Sequence, residues 1–374
     1  MQSTGKRSVP RVLHVVQTLV AGGAETAVRA LCAGLPDEGI DVGVVSVYAA
    51  ALEPEELDSL GVPVTDLGRR SRSDLSYFRP LVETLRRLRP DVVHAHLHTG
   101  KYAGRFAAVL ASVPSIAFTV HGDEPGGAIR WLIDRVLNAR TSRFILFSDN
   151  QKRRFAADER VAPSRIAVIP NGVAAPVANR SRFEIREELG LPQDAFVLYS
   201  AARLSSEKNQ RVALEALARA LAAGAPDLHL VLAGDGPAAA DLRALAQALG
   251  LRERVHFLGF RSDAAKLCYG MDIFVLPSLR ERMPLALGEA MLSGLPPIVT
   301  PWPGADEFVS DGQEGFIAGG FGAADFAAAI LRARAAPLSA LAERARAAAE
   351  SKFDVRAMIR SHADLYRTLA GKPE

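Results

Sequence analysis

Short runs rich in valine and leucine recur along the whole chain, each followed by a stretch of helical character. This alternation restricts the fold more than any other feature. In the first half the runs are Arg11–Gln17, Asp41–Val47, Asp91–Ala95, Ser115–Val120 and Arg143–Phe147. Tyr77–Leu88 and Gly104–Ala111 are among the predicted helices between them. In the second half the runs are Phe196–Ala201, Leu228–Ala233, Val255–Phe260 and Asp272–Leu276. Strands that alternate with helices build parallel, doubly wound sheets. With 374 residues the chain is long for one such sheet, so two domains are expected. Ligands of these sheets bind at the carboxyl ends of the strands, which directs attention to the polar residues just beyond each run.

Composition excludes several classes. The two cysteines, Cys32 and Cys268, lie in different halves and in no CxxC pair, which argues for a reduced, cytoplasmic protein without a disulfide framework or zinc cluster. No apolar run is long enough to span a bilayer. Charge is unevenly spread. Residues 1–65 carry 4 Lys/Arg against 8 Asp/Glu, a balance of −4, whereas residues 66–165 carry 18 against 10, a balance of +8. Such a basic stretch suits an anionic membrane surface, each nearby charge adding about 1 kcal/mol; an ordinary solvated surface would show the same balance. It has few interleaved aromatics for stacking bases, so no nucleic-acid partner is expected.

The richest segment runs from Asp272 to Thr300. It reads as strand, loop, helix and strand, with Pro284 at the helix start and Gly294 and Pro296 after its end. Glu281 lies in the loop and Glu289 on the helix. A helix start offers free N–H groups and partial positive charge to an anion. Carboxylates before and after it could hold hydroxyls on either side of a bound phosphate; a solvated helix with two surface acids would show the same spacing. Gly288 interrupts the helix, and close packing on a ligand is the expected reason. Elsewhere, Arg203 and Lys208 follow a strand and suit a diphosphate. Gly22 and Gly23 link the first strand to a helix from about Ala24 to Leu35, without the GxGxxG dinucleotide fingerprint. His94, His96 and His98 alternate and on a strand would share one face. No acid or cysteine is close by in sequence, and no metal is expected there.

Several of these segments resemble one family, the retaining glycosyltransferases of family 4, also called group 1. Glu281 and Glu289 followed by EAMLSGLPPIV resemble the family's E-x7-E signature. Ala202-Arg203-Leu204 through Glu207-Lys208 resembles its G-R-L-x-x-E-K segment, and Ala233–Pro237 its AGDGP turn. Gly22-Gly23-Ala24-Glu25, Thr119-Val-His121-Gly122-Asp123 and Ile169–Val173 resemble its first-domain motifs. The resemblance implies the GT-B fold, α/β with two Rossmann-like doubly wound domains facing each other across a cleft. The expected spans are 1–173, 174–354 and a helix in 355–374 that crosses back to the first domain.

It also implies roles. Glu281 holds the donor sugar's hydroxyls and Glu289 the ribose. Backbone around Met283, Pro284 and Leu285 holds sugar and phosphate. Gly259 and Phe260 approach the base, and Gly22 and Gly23 face the diphosphate. His121, Arg203, Lys208 and Glu281 form the catalytic set, with His96, His98 and Asp123 on the acceptor side. One departure stands out: Arg282 occupies the place of the family's usual Gly. The expected activity is metal-free retaining transfer of a sugar from a UDP- or GDP-sugar to an acceptor hydroxyl, in surface polysaccharide or lipid-linked glycan synthesis. The nucleotide sugar is a co-substrate, and no cofactor is expected. The expected place is the cytoplasm, peripherally on the inner face of the membrane. The alternative, motivated by Arg282, is a catalytically impaired homologue that binds a nucleotide or partner without turnover.

Overall fold

The computed structural model describes residues 9–20, 22–48, 60–71, 73–122 and 128–371. The chain forms two compact units: Met1–Gly172 together with Val355–Glu374, and Val173–Asp354.

The first unit is built on seven parallel strands: β1 (Arg11–Val16), β2 (Asp41–Tyr48), β3 (Val64–Arg69), β4 (Val92–His96), β5 (Ser115–Thr119), β6 (Arg143–Leu146) and β7 (Ile166–Val168). Their order is β3-β2-β1-β4-β5-β6-β7. The helices are α1 (Gly23–Gly34), α2 (Phe78–Leu88), α3 (Arg105–Leu110), α4 (Ala128–Arg140) and α5 (Asp149–Asp158). A π-helical turn, Gly100–Gly104, leads into α3. Side chains alternate across a strand, so each strand serves two cores. Val12, Val16, Val44 and Val92 pack with Val28 and Leu31 of α1 and with Met358 and Tyr366 of the helix Val355–Leu369. Leu13, Val15, Val45 and Val93 pack the other way, with Leu81 of α2 and Ala107 of α3. Right-handed crossovers explain the division: strands added in one direction from β1 put their helices on one face, and those added in the other direction use the opposite face. Each such buried side chain adds about 1.5–3 kcal/mol.

The second unit has six parallel strands: β8 (Phe196–Ala201), β9 (Leu228–Ala233), β10 (Val255–Gly259), β11 (Ile273–Leu276), β12 (Pro297–Val299) and β13 (Phe316–Ile317). They lie in the order β10-β9-β8-β11-β12-β13. Around them run α6 (Arg182–Glu188), α7 (Gln210–Ala222), α8 (Ala239–Ala248), α9 (Ala264–Leu267), α10 (Leu285–Leu292), α11 (Ala323–Arg334) and α12 (Leu338–Lys352). A reciprocal capping box opens α6: the Ser181 hydroxyl accepts from the Glu184 N–H, and the Glu184 carboxylate accepts from the Ser181 N–H. Leu230, Leu232, Ile273 and Val275 meet α7, α8 and α11 in one continuous core. Asp272, just before β11, accepts from Arg182 and Arg186 and from the Val197 N–H, all at 2.7–2.8 Å. This pins the start of β11 to that of β8.

Gly288 has a different explanation from the one expected. A Cβ there would stand 2.6 Å from Cδ1 of Phe353. The glycine makes room for a ring of its own unit, not for a ligand.

Candidate functional site

The second unit brings two of the singled-out loops together because β8 and β11 are neighbours in the sheet. The loop after β8 carries Arg203 and Lys208; the loop after β11 carries Glu281. Leu279 N–H donates to the Glu207 carbonyl at 2.9 Å, tying the two backbones. Lys208 Nζ then reaches Glu281 Oε1 at 2.5 Å, and Ser278 Oγ donates to the same oxygen at 2.6 Å. The Glu281 side chain is 7% exposed, so the pair is largely withdrawn from water. Lys208 is therefore one half of an ion pair. Its charge fixes the carboxylate and stands beside whatever the carboxylate binds.

The Arg203 segment is clamped from the other side. Leu204 N–H donates to the Asp235 carbonyl at 3.0 Å, and Ala238 N–H to the Leu204 carbonyl at 3.1 Å. This approach needs glycines. Gly234 and Gly236 have φ of +145° and +158°, and a Cβ on either would collide with the Ala202 or Leu204 carbonyl oxygen. The AGDGP turn is thus a backbone brace for the loop that presents Arg203. Arg203 itself is exposed and forms no ion pair among the described residues.

Pro284 stands immediately before α10, in extended conformation, and its carbonyl accepts from the Leu287 and Gly288 N–H groups. Met283, Pro284 and Leu285 are buried. Little more than one turn on, burial holds Glu289 protonated to unusually high pH, its pKa pushed up to about 7. The same burial raises the neighbouring Cys268 thiol and Tyr199 phenol, with the Glu289 charge adding to both. Gly259 closes β10 with φ +67°, its carbonyl accepting from the Gly234 N–H at 2.7 Å. Phe260 beyond it is 63% exposed.

In the first unit, α1 begins at Gly23 with Gly22 before it. The Glu25 carboxylate lies over Gly22, where a Cβ would stand, and burial raises its pKa. The helix start thus carries an acid of its own first turn. The expected row of histidines divides. His94 and His96 lie on β4 and are buried, whereas His98 is exposed beyond the strand and rests against the Tyr102 ring. The third imidazole of the cluster comes from β1, where His14 is in register with His94.

The cluster forms a chain. His14 Nδ1 is 2.9 Å from His96 Nε2, and His96 Nδ1 is 3.4 Å from His121 Nε2. His94 uses both nitrogens, on Tyr366 Oη at 2.6 Å and Thr119 Oγ1 at 2.7 Å. Among the described residues, ring nitrogens of His14, His94 and His96 lie within 4.8 Å of one another, close enough to consider a metal. An ion there would have to displace Thr119 or Tyr366 from His94. Burial, reinforced by the neighbouring imidazoles, lowers the pKa of all three, that of His14 to about 3. The cluster is neutral at neutral pH. His121 is half-buried at its edge. Asp123 lies outside the described residues.

Comparison with known proteins covers both units. Residues 181–352 match the family described as glycosyl transferases group 1, and residues 21–175 the one described as glycosyltransferase family 4. The chain is similar to the UDP-Gal:alpha-D-GlcNAc-diphosphoundecaprenol alpha-1,3-galactosyltransferase of Escherichia coli, 32% identical over 302 residues, 76% of this chain and 77% of that protein. In fold it resembles HepE of Anabaena, whose crystal structure holds UDP and glucose: TM-score 0.84 at 23% identity, over 96% of this chain and 100% of the other. It also resembles WaaG, a glycosyltransferase involved in lipopolysaccharide biosynthesis: TM-score 0.77 at 19% identity, over 95% and 99% of the two chains.

Proposed function

We propose, since the chain belongs to the group 1 glycosyltransferases of family 4, with the GT-B fold, that it is a retaining enzyme moving a hexose from a UDP-sugar to a lipid-linked glycan. That it is a glycosyltransferase acting with nucleotide sugars is the family's coarse reading. UDP is favoured over GDP by the UDP-galactose of the Escherichia coli relative and the UDP in HepE. The same relative supplies the acceptor class, a sugar on diphosphoundecaprenol. Work of this kind would be done at the inner face of the membrane.

The observation that carries the reading is the Lys208–Glu281 pair just before α10. Glu281 would accept from the sugar's hydroxyls while Lys208 neutralises the adjacent diphosphate. Arg203 and the free N–H groups at the start of α10 add to that charge. Glu289 would accept from the ribose. Gly22, Gly23 and His121 are assigned to the diphosphate and sugar, and His98 and Asp123 to the acceptor. The bond from the sugar's anomeric carbon to the diphosphate oxygen breaks, and a bond to the acceptor oxygen forms on the same face. The acceptor's proton leaves with the diphosphate. No carboxylate is assigned as nucleophile, so no covalent glycosyl-enzyme is proposed. Two cations and a helix start supply the positive charge, and transfer is proposed to proceed without a metal.

The test combines binding and turnover. UDP, but not GDP, ADP or dTDP, should stabilise the protein by about 2.7 kcal/mol at 100 times its dissociation constant. Lys208→Ala should cut kcat by about 10²-fold or more. NMR of the product should show the donor's anomeric configuration. An inverted product, or stabilisation by GDP alone, would refute the reading. UDP binding without any transfer would favour a binding protein disabled at Arg282, which replaces the family's usual glycine.

A further inference from the structure

Helix α4 is built inside out. A surface helix ordinarily turns its apolar stripe to the core and its polar face to water. Here Asp134 and Asn138 turn inward, with Leu137 as the one buried apolar side chain of the helix among the described residues. The guanidinium of Arg105, fully buried, donates to Asn138 Oδ1 at 2.9 Å and Thr141 Oγ1 at 3.2 Å. Asp134 lies 3.4 Å from Arg105 Nη2 and 3.0 Å from Lys101 Nζ. Asn138 Nδ2 donates to Glu159 at 3.0 Å. This polar clasp fastens α4 to α3, to the π-helical turn before it and to the end of α5. The outer face carries Trp131, Leu132, Ile133 and Val136, exposed by 53%, 57%, 44% and 56%. On adjoining α3, Phe106 and Leu110 are one turn apart and exposed by 49% and 44%.

Several large apolar side chains exposed on one helix face and on its neighbour mark an interaction surface. Its surroundings indicate the partner. Arg135 and Arg140 are exposed on the same outer face, with the Arg135 guanidinium 5.4 Å from the Trp131 ring centre. Right-handed crossovers put α2 through α5 on one face of the sheet. There Arg86 of α2 donates to the Leu110 carbonyl at 3.0 Å, and Arg153 and Arg154 of α5 are exposed. Tryptophan and arginine around an apolar strip are what an interfacial helix offers to lipid. A symmetric contact with a second copy would set these arginines against one another.

We propose that the outer face of α4, with Phe106 and Leu110 of α3, docks the protein on a bilayer surface bearing anionic headgroups. This deepens the lipid-linked acceptor reading, but its observation is separate, and it can fail while sugar transfer stands.

The protein carries its own reporter. Of its two tryptophans Trp131 is half-exposed, whereas Trp302 is buried at 2%. The full chain is mixed with vesicles of phosphatidylcholine alone or with phosphatidylglycerol added. Tryptophan emission should shift to the blue and lose its acrylamide quenching only with the anionic vesicles, and the change should fall with salt. Leu132→Ser/Val136→Ser should lower partitioning about tenfold or more. Arg135→Gln/Arg140→Gln should weaken binding and flatten its salt dependence. All substitutions are on exposed positions, and unchanged melting and transfer to a detergent-dispersed acceptor would show both variants folded. Unchanged emission with anionic vesicles, or equal binding by Leu132→Ser/Val136→Ser, would overturn the proposal. So would sedimentation showing a dimer that this variant abolishes, because the occupant would then be a second copy.

Discussion

Replacing Glu289 by Gln should make the second unit more stable in mild alkali while weakening nucleotide binding. The carboxyl is largely withdrawn from water on α10, and its pKa is pushed up to about 7 from an ordinary value of 4.5. An acid with a raised folded-state pKa holds its proton longer in the folded than in the unfolded chain. Between about pH 4.5 and 7 the folded state therefore binds more protons, and stability falls as pH rises. Each pKa unit corresponds to about 1.4 kcal/mol, so the difference of about 2.5 units amounts to roughly 3 kcal/mol lost by pH 8. Gln keeps the shape and carries no charge. Glu289→Gln should match the parent at pH 4.5 and exceed it by about 3 kcal/mol at pH 8. The assay is urea unfolding read by Trp302, the buried tryptophan of the second unit, in a Trp131→Phe background. A Gln variant no more stable than the parent at pH 8, or a difference that did not grow with pH, would refute the reasoning. UDP affinity provides the functional counterpart. If ribose hydroxyls donate to this carboxylate, the parent's Kd should rise about tenfold per pH unit below 7, and Glu289→Gln should be weak throughout.

Three further outcomes are expected. Gly288→Ala should destabilise the second unit by about 1–3 kcal/mol despite alanine's helix propensity, because its Cβ would press on Phe353. Phe353→Leu in the same chain should recover part of the loss, and chemical denaturation of the single and double variants decides it. Tyr366→Phe should cost the first unit about 1–3 kcal/mol by leaving His94 Nδ1 without its partner, measurable by amide exchange in β4. Acid should loosen the same unit. Its buried histidines have folded-state pKa values below the usual 6.5, about 3 for His14 and about 4 for His362. Their contribution is whole above about pH 6.5 and is lost as pH falls, at up to about 1.4 kcal/mol per pH unit for each group. Amide exchange corrected for its intrinsic pH dependence should show β4 and the helix Val355–Leu369 opening together between pH 6 and 4. Equal protection at both ends of that range would count against it.

What could be read beforehand followed locality. Phe196–Ala201 and Leu228–Ala233 are legible to the residue because their apolar pattern is almost unbroken. β3, Val-Thr-Asp-Leu-Gly-Arg, escaped because it is an edge strand, half-exposed and interrupted by charge. α11 escaped because its many alanines blur any period. The motif residues of the second unit could be picked out, but not the bond between Lys208 and Glu281, which depends on β8 lying beside β11. His14 was missed for the same reason: only strand order sets β1 against β4. Strand order comes from the whole chain's packing and leaves little trace in neighbouring residues. The reversed polarity of α4 misleads in another way. The exposure of its Trp131, Leu132 and Val136 follows from the buried Arg105, which claims the helix's polar face.

The helix Val355–Leu369 belongs to the first unit, although the whole of the second unit precedes it in the chain. On the ribosome this reverses the usual sequence, in which the N-terminal domain is finished first. Residues 173–354 can emerge and fold while the first unit still lacks Met358, Ala363 and Tyr366 from the core beside α1. Throughout that interval His94 has no phenol to meet, and part of an apolar sheet face beside α1 stays uncovered. The nascent first unit thus exposes apolar surface until residue 366 has left the exit tunnel. A premature stop near residue 354 would yield a finished second half attached to an unfinished first.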